Sequence, residues 1–140
     1  MIYTLKESSK IISSPQQIFK ICTDILEHDD IYDREKEHVW VFQLDNRNRI
    51  KLIELVTLGT LNSSLIHPRE VFRRAVHEGS ASIILAHNHP SGDSDPSEQD
   101  IIITRKLRDA GKILEIELID HIIIGRDKFY SLKEKGVVFS

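Results

Sequence analysis

The sequence predicts a single α/β domain, a mixed β-sheet layered with helices. Three observations carry this. The chain has 140 residues, enough to close one core and too few for two. Short runs of strand formers alternate with segments whose apolar residues recur at helical spacing. At least two pairs of strand-like runs lie close enough in sequence to be hairpins, which rules out a purely parallel sheet.

The elements follow in order. Residues 1–12 mix apolar and charged residues and read equally as an edge strand or a loose arm. Ser13-Ser14-Pro15 supplies a cap and a helix-starting proline, and Ile18, Phe19, Ile21, Cys22, Ile25 and Leu26 form one helical face. From Glu27 to Lys36 charge crowds an exposed connection. His38 to Leu44 reads as a strand, Asp45-Asn46-Arg47-Asn48 as a turn, and Ile50 to about Leu58 as its hairpin partner. The sheet is expected to continue from Thr57 to Leu65 with a bend at Gly59. Pro68 opens a helix closed by Gly79, with His67 helping to set its start. Ser82 to Ala86 is an apolar strand leading into His87. Asp95 is expected as N-cap and Pro96 as first residue of a helix that runs to about Ala110 and stops at Gly111. Ile113 to Leu118 and Asp120 to Ile124 then read as two strands, and Phe129 to Leu132 as a last strand or turn.

Composition narrows the setting. Hydrophobic residues at 40% and charged residues at 29% are ordinary for a globular protein. No apolar run approaches the roughly 20 residues that span a bilayer, and the N-terminus lacks a signal-like basic and apolar pair of segments. The single cysteine, Cys22, reads as a small core residue. A cytoplasmic protein without membrane contact is the expectation. A net charge of −3 and a pI near 6.2 give no general attraction to nucleic acid. The local basic clusters Arg69, Arg73, Arg74 and Arg105, Lys106, Arg108 read as solvated helix faces.

The chemistry concentrates between His87 and Asp100. Period-2 alternation points His87 and His89 to one side of a strand end, where two imidazoles make a divalent-metal clamp. On the following helix Ser97 and Asp100, three apart, share a face that can return to them. Two histidines and one aspartate suit a catalytic zinc ion with an open fourth position, although ligand type alone also admits manganese or iron. Asp93 and Asp95 read as structural. A zinc deaminase, which expects His-x-Glu and Pro-Cys-x-x-Cys, is excluded by His87-Asn88-His89 and the lone Cys22.

His87-Asn88-His89-Pro90, then Ser97 and Asp100, resembles the JAMM motif of MPN-type metalloproteases, and His87-Asn88-His89-Pro90-Ser91-Gly92-Asp93 is most similar to its RadC branch. The resemblance runs from about Ser13 to the C-terminus. It includes Gly59-Thr60-Leu61-Asn62, His67-Pro68-Arg69-Glu70 and Asp120-His121-Ile122-Ile123.

The resemblance implies a mixed, curved sheet of cytidine-deaminase-like architecture over residues 1–140, with a motif core at about 37–132. It implies a zinc-dependent hydrolase that cleaves peptide or isopeptide bonds by metal-activated water, with one zinc ion on His87, His89 and Asp100. Ser97 would hold the oxyanion. The family's early-strand glutamate, base and then acid, matches Glu37 best, with Glu35, Glu54 and Glu70 as competitors. Asn88 would face away from the ligands and departs from the serine or threonine usual in ubiquitin-cleaving members. His121 reads as a core histidine with a hydrogen-bonded neighbour. The expected partner is a peptide or protein substrate, and a homodimer is compatible with the sequence. The alternative is a RadC-like, DNA-repair-associated accessory protein with little catalysis, for which the chain leaves no room for the upstream helix-hairpin-helix region of longer relatives.

Overall fold

A computed structural model describes residues 2–3, 10–29, 31–59 and 66–139. In chain order these form β1 (Ile2–Tyr3), α1 (Pro15–Glu27), the single turn α2 (Ile31–Arg34), β2 (Glu37–Leu44), β3 (Ile50–Gly59), α3 (Pro68–Glu78), β4 (Ser82–Asn88), α4 (Glu98–Leu114), β5 (Glu117–Ile124) and β6 (Phe129–Ser131). The strands make one mixed, open sheet in the order β1-β3-β2-β4-β5-β6. Every neighbouring pair is antiparallel except β4 and β5, which run parallel and are joined through α4. Residues 82–124 are therefore one β-α-β unit.

Both faces of the sheet are covered. Ile18, Ile21, Cys22 and Ile25 of α1 pack with Trp40, Phe42, Leu44, Ile84, Ala86, Ile122 and Ile124. On the other side Val71, Phe72 and Ala75 of α3 and Ile103 and Leu107 of α4 pack with Val39, Val41, Ile83 and Leu85. All seven residues of β4 are buried, as its apolar run requires at the centre of a three-layer stack. Cys22 belongs to this core, and burial pushes its thiol well above the ordinary range.

Helices α1 and α3 begin and end as the sequence predicts. Ser14 is the N-cap of α1, Pro15 its first residue, and the Gln17 side chain reaches back to accept the Ser14 N–H at 3.0 Å. Gly79 closes α3 in the left-handed conformation at φ 66°. His67 is the N-cap of α3, although its side chain makes no capping hydrogen bond. At the sheet edge Ile2–Tyr3 pairs with β3, which is described to Gly59, and the expected continuation over 60–65 lies outside the described residues.

The predicted bounds of α4 and β5 need correction. Ser97, not Asp95, is the N-cap, and Pro96 precedes the helix. The helix also passes through Gly111 to Leu114 and is capped by Glu115 at φ 59°. Gly111 is buried, and a Cβ there would stand 2.4 Å from the Ile116 carbonyl oxygen and 3.2 Å from Phe72. This glycine permits a close approach rather than a stop. Ile113 and Leu114 consequently end a helix, exposed, and a single strand β5 replaces the two that alternation suggested.

Candidate metal centre

The candidate ligands stand where β4 ends. Antiparallel register sets Val39 of β2 opposite His87 of β4. Continuing that register places Glu37, the first residue of β2, beside His89. Alternation along β4 sends Ile83, Leu85 and His87 toward α3 and α4, and Ile84, Ala86 and Asn88 toward α1. The N-terminus of α4 then returns Asp100 to His87 and His89.

These three side chains converge. One ligand atom from each of His87, His89 and Asp100 lies within 4.8 Å of the others, and the group could hold a metal ion. His87 Nε2 is 3.0 Å from Asp100 Oδ1, and His89 Nε2 is 3.1 Å from Asp100 Oδ2. His87 and Asp100 are fully buried, while the His89 side chain keeps 13% exposure. Among the described residues, His87 Nε2 and Asp100 Oδ1 have no hydrogen-bond partner. Buried polar atoms are rarely left so, and two that face one another are suited to a cation between them. Two nitrogens and one carboxylate are also a donor set that zinc accepts.

Each ligand is held from behind. His89 Nδ1 lies 2.8 Å from the Asp93 carbonyl oxygen, which can only accept, so His89 donates there and turns Nε2 inward. Asp100 Oδ2 accepts from the Ser97 N–H at 2.8 Å, and Ser97 Oγ accepts from the Asp100 N–H at 3.1 Å. Residues Ser97 and Asp100 are thus a capping box as well as candidate site residues. His87 Nδ1 lies 2.8 Å from His121 Nε2, and His121 Nδ1 lies 2.6 Å from Thr104 Oγ1. The loop itself rests on the β5–β6 turn: the His89 N–H donates to the Ile124 carbonyl and the Arg126 N–H to that of Gly92.

The electrostatics follow. Burial alone would raise the Asp100 carboxyl, but the adjacent His87 and His89 and the Ser97 N–H hold it well below the usual carboxylate range. The hydrogen bond to Asp100 raises the pKa of His89 against the opposing effect of burial, with Glu37 among the nearby charges that help. Burial lowers His121 to about 3, and the adjacent His87 pushes the same way.

Glu37, Ser97, His89 and Asp100 line one open cavity of about 280 Å³. The competing glutamates are elsewhere occupied: Glu54 pairs with Arg74 at 3.4 Å, and Glu70 faces Arg69 at 3.8 Å on the first turn of α3. Glu35 is exposed between α2 and β2. Asp93 Oδ1 accepts the Asp95 N–H at 3.0 Å within the loop.

Two residues do more than the sequence suggests. Asn88 does face away from the ligands, toward the start of β2. Its Oδ1 accepts the His38 N–H at 2.6 Å, and its Nδ2 donates to the Lys36 carbonyl at 3.1 Å. Those peptide groups flank Glu37, so the residue between the two histidines grips the backbone that carries the glutamate. Thr104 carries one signal in the sequence, its i, i+4 relation to Asp100, which puts it on the same helical face. His121 is buried as expected, with His87 and Thr104 as its neighbours.

Comparison with known proteins agrees with this geometry. The profile of the RadC-like JAB domain matches residues 12–137. A UPF0758 protein of Desulforamulus reducens is 45% identical over 132 residues, covering 94% of this chain and 56% of that protein. One from Methanosarcina mazei is 44% identical over 134 residues, covering 96% and 56%, and one from Desulforudis audaxviator is 52% identical over 103 residues, covering 74% and 45%. The chain spans about half the length of the curated relatives it matches. A family profile that takes in the β4 histidines, the returning helix and the β5 histidine shows that the chain belongs to the RadC-like JAB domain family.

Proposed function

We propose that this chain is a zinc-dependent hydrolase of the JAMM type that cleaves a peptide or isopeptide bond, acting in the cytoplasm. The observation that carries the reading is the convergence of His87, His89 and Asp100, with the buried His87 Nε2 and Asp100 Oδ1 3.0 Å apart and in no other hydrogen bond among the described residues, beside a cavity that Glu37 and Ser97 also line. His87, His89 and Asp100 would hold the ion, which supplies Lewis acidity and makes water a competent nucleophile near neutral pH. Glu37 accepts the proton of the attacking water and returns it to the leaving amine. The Ser97 oxygen accepts from the Asp100 N–H, so its own hydroxyl hydrogen remains to be donated to the developing oxyanion. Asn88 holds Glu37 in register with the ligands. The nucleic-acid-associated alternative has against it the net charge of −3 and the pairing of Arg69, Arg74 and Arg108 with carboxylates.

Metal analysis of purified protein, paired with a screen of peptide and isopeptide substrates with and without chelator, tests the proposal. We expect one zinc per chain, lost in His87→Ala and Asp100→Ala. We expect Glu37→Gln to keep the zinc while hydrolysis falls by roughly 10²–10⁴-fold. Absence of stoichiometric divalent metal, or full activity in Glu37→Gln, overturns it.

A further inference from the structure

We infer that Thr104 and His121 form a proton-ordering relay that fixes which nitrogen of His87 faces the metal pocket. The inference rests on the metal reading for its purpose but not for its geometry. It begins at an atom that can only accept, the Asp100 backbone carbonyl. Thr104 Oγ1 lies 2.6 Å from that oxygen, so its single hydroxyl hydrogen is donated there. The Thr104 oxygen is then an acceptor for His121 Nδ1, 2.6 Å away, which therefore carries a hydrogen.

His121 is fully buried, and its two hydrogen-bonded neighbours are Thr104 and His87. With no carboxylate among those partners, the ring is neutral, and its Nε2 holds a lone pair. His87 Nδ1, 2.8 Å from that lone pair, must donate. His87 Nε2, 3.0 Å from Asp100 Oδ1, is then the ring nitrogen open to a metal ion. The relay thus closes on the residue where it began: the backbone of Asp100 orders the protons, and its side chain faces the nitrogen that they leave open.

The opposite order shows why the relay matters. Were His121 protonated on Nε2, it would donate to His87 Nδ1 and move a hydrogen to His87 Nε2, into the place of the cation. A metal ion would then have to displace that proton. Partners of this kind behind a ligand histidine typically change metal affinity by about 10–100-fold.

Nitrogen-15 NMR of histidine-labelled, metal-free protein reads the arrangement directly. We expect His121 as the Nδ1–H tautomer, with a scalar coupling across the hydrogen bond between His87 Nδ1 and His121 Nε2. Thr104→Val, nearly isosteric, should convert His121 to the Nε2–H tautomer and raise the zinc dissociation constant about 10–100-fold. Thr104→Ser should restore both. A wild-type His121 found as Nε2–H overturns the relay, as does a Thr104→Val protein whose tautomer and zinc affinity are unchanged. Should the valine variant not fold, the wild-type tautomer still decides the matter. If the wild type binds no zinc while His121 shows the expected tautomer, the metal reading fails and the relay stands.

Discussion

Ser97 caps α4 with its hydroxyl and also lines the candidate site. Its oxygen caps α4 by accepting the Asp100 N–H, and its hydrogen is free to face the cavity. Ser97→Ala should therefore cost about 1 kcal/mol of stability, read from the denaturant midpoint. Under the proposed mechanism it should also lower turnover by roughly 10²–10³-fold. A stability loss with unchanged turnover would reduce Ser97 to a cap. At this scale the sequence is most legible where residues are close along the chain. His87, His89, Ser97 and Asp100 occupy fourteen consecutive positions, and their spacing fixes their faces. The grip of Asn88 on Lys36 and His38 is invisible there, because it depends on strand register across 50 residues.

Among the elements, β2 depends on that grip for the placement of its first residues. Asn88→Ala leaves the buried His38 N–H and the Lys36 carbonyl without their partner. We expect a loss of about 1–3 kcal/mol in thermal or denaturant unfolding. Zinc content should be unchanged, since Asn88 contributes no atom to the ligand cluster. Loss of zinc in this variant would contradict the separation of ligands from clamp.

Helix α4 offers a sharper contrast. In an open helix, glycine to alanine stabilises by up to about 1 kcal/mol. At Gly111 the added Cβ meets the Ile116 carbonyl at 2.4 Å, so Gly111→Ala should destabilise by about 1–3 kcal/mol. A raised denaturation midpoint would refute the close-approach account. This helix end also shows where pattern reading runs out. A glycine at a stop and a glycine at a crossing look alike in one sequence, and only the packing of Phe72 and Ile116 tells them apart.

For the molecule as a whole, buried histidine couples stability to pH. An unfolded histidine takes a proton near 6.5, whereas His121 in the metal-free fold stays neutral down to about 3. The unfolded chain binds more protons across that window. The contribution of His121 is thus complete above about pH 6.5 and lost as pH falls toward 3, at no more than about 1.4 kcal/mol per pH unit. His89, whose pKa is raised, acts with the opposite sign and loses its contribution as pH rises. Unfolding of metal-free wild type and His121→Phe between pH 7.5 and 4 should give a steeper acid loss for the wild type. Parallel profiles would show that His121 titrates normally.

The layered α/β architecture was readable because helical and strand periods alternate cleanly around two covered faces. The exact ends of α4 and β5 were not, since they are decided by contacts between segments rather than within them.

The contiguous β-α-β unit from Ser82 to Ile124 carries His87, His89 and Asp100 together with Thr104 and His121, whereas Glu37 arrives from the hairpin on the other side of β4. Under the proposed function, the capacity to capture an ion and the capacity to move a proton are thus lodged in separate stretches of chain. Circular permutation with new termini in the 45–48 turn would leave the first stretch unbroken while loosening the second. On that same proposal, genetic exchange could replace one without rebuilding the other, a structural route by which such a domain would gain or shed catalysis while keeping its candidate metal site.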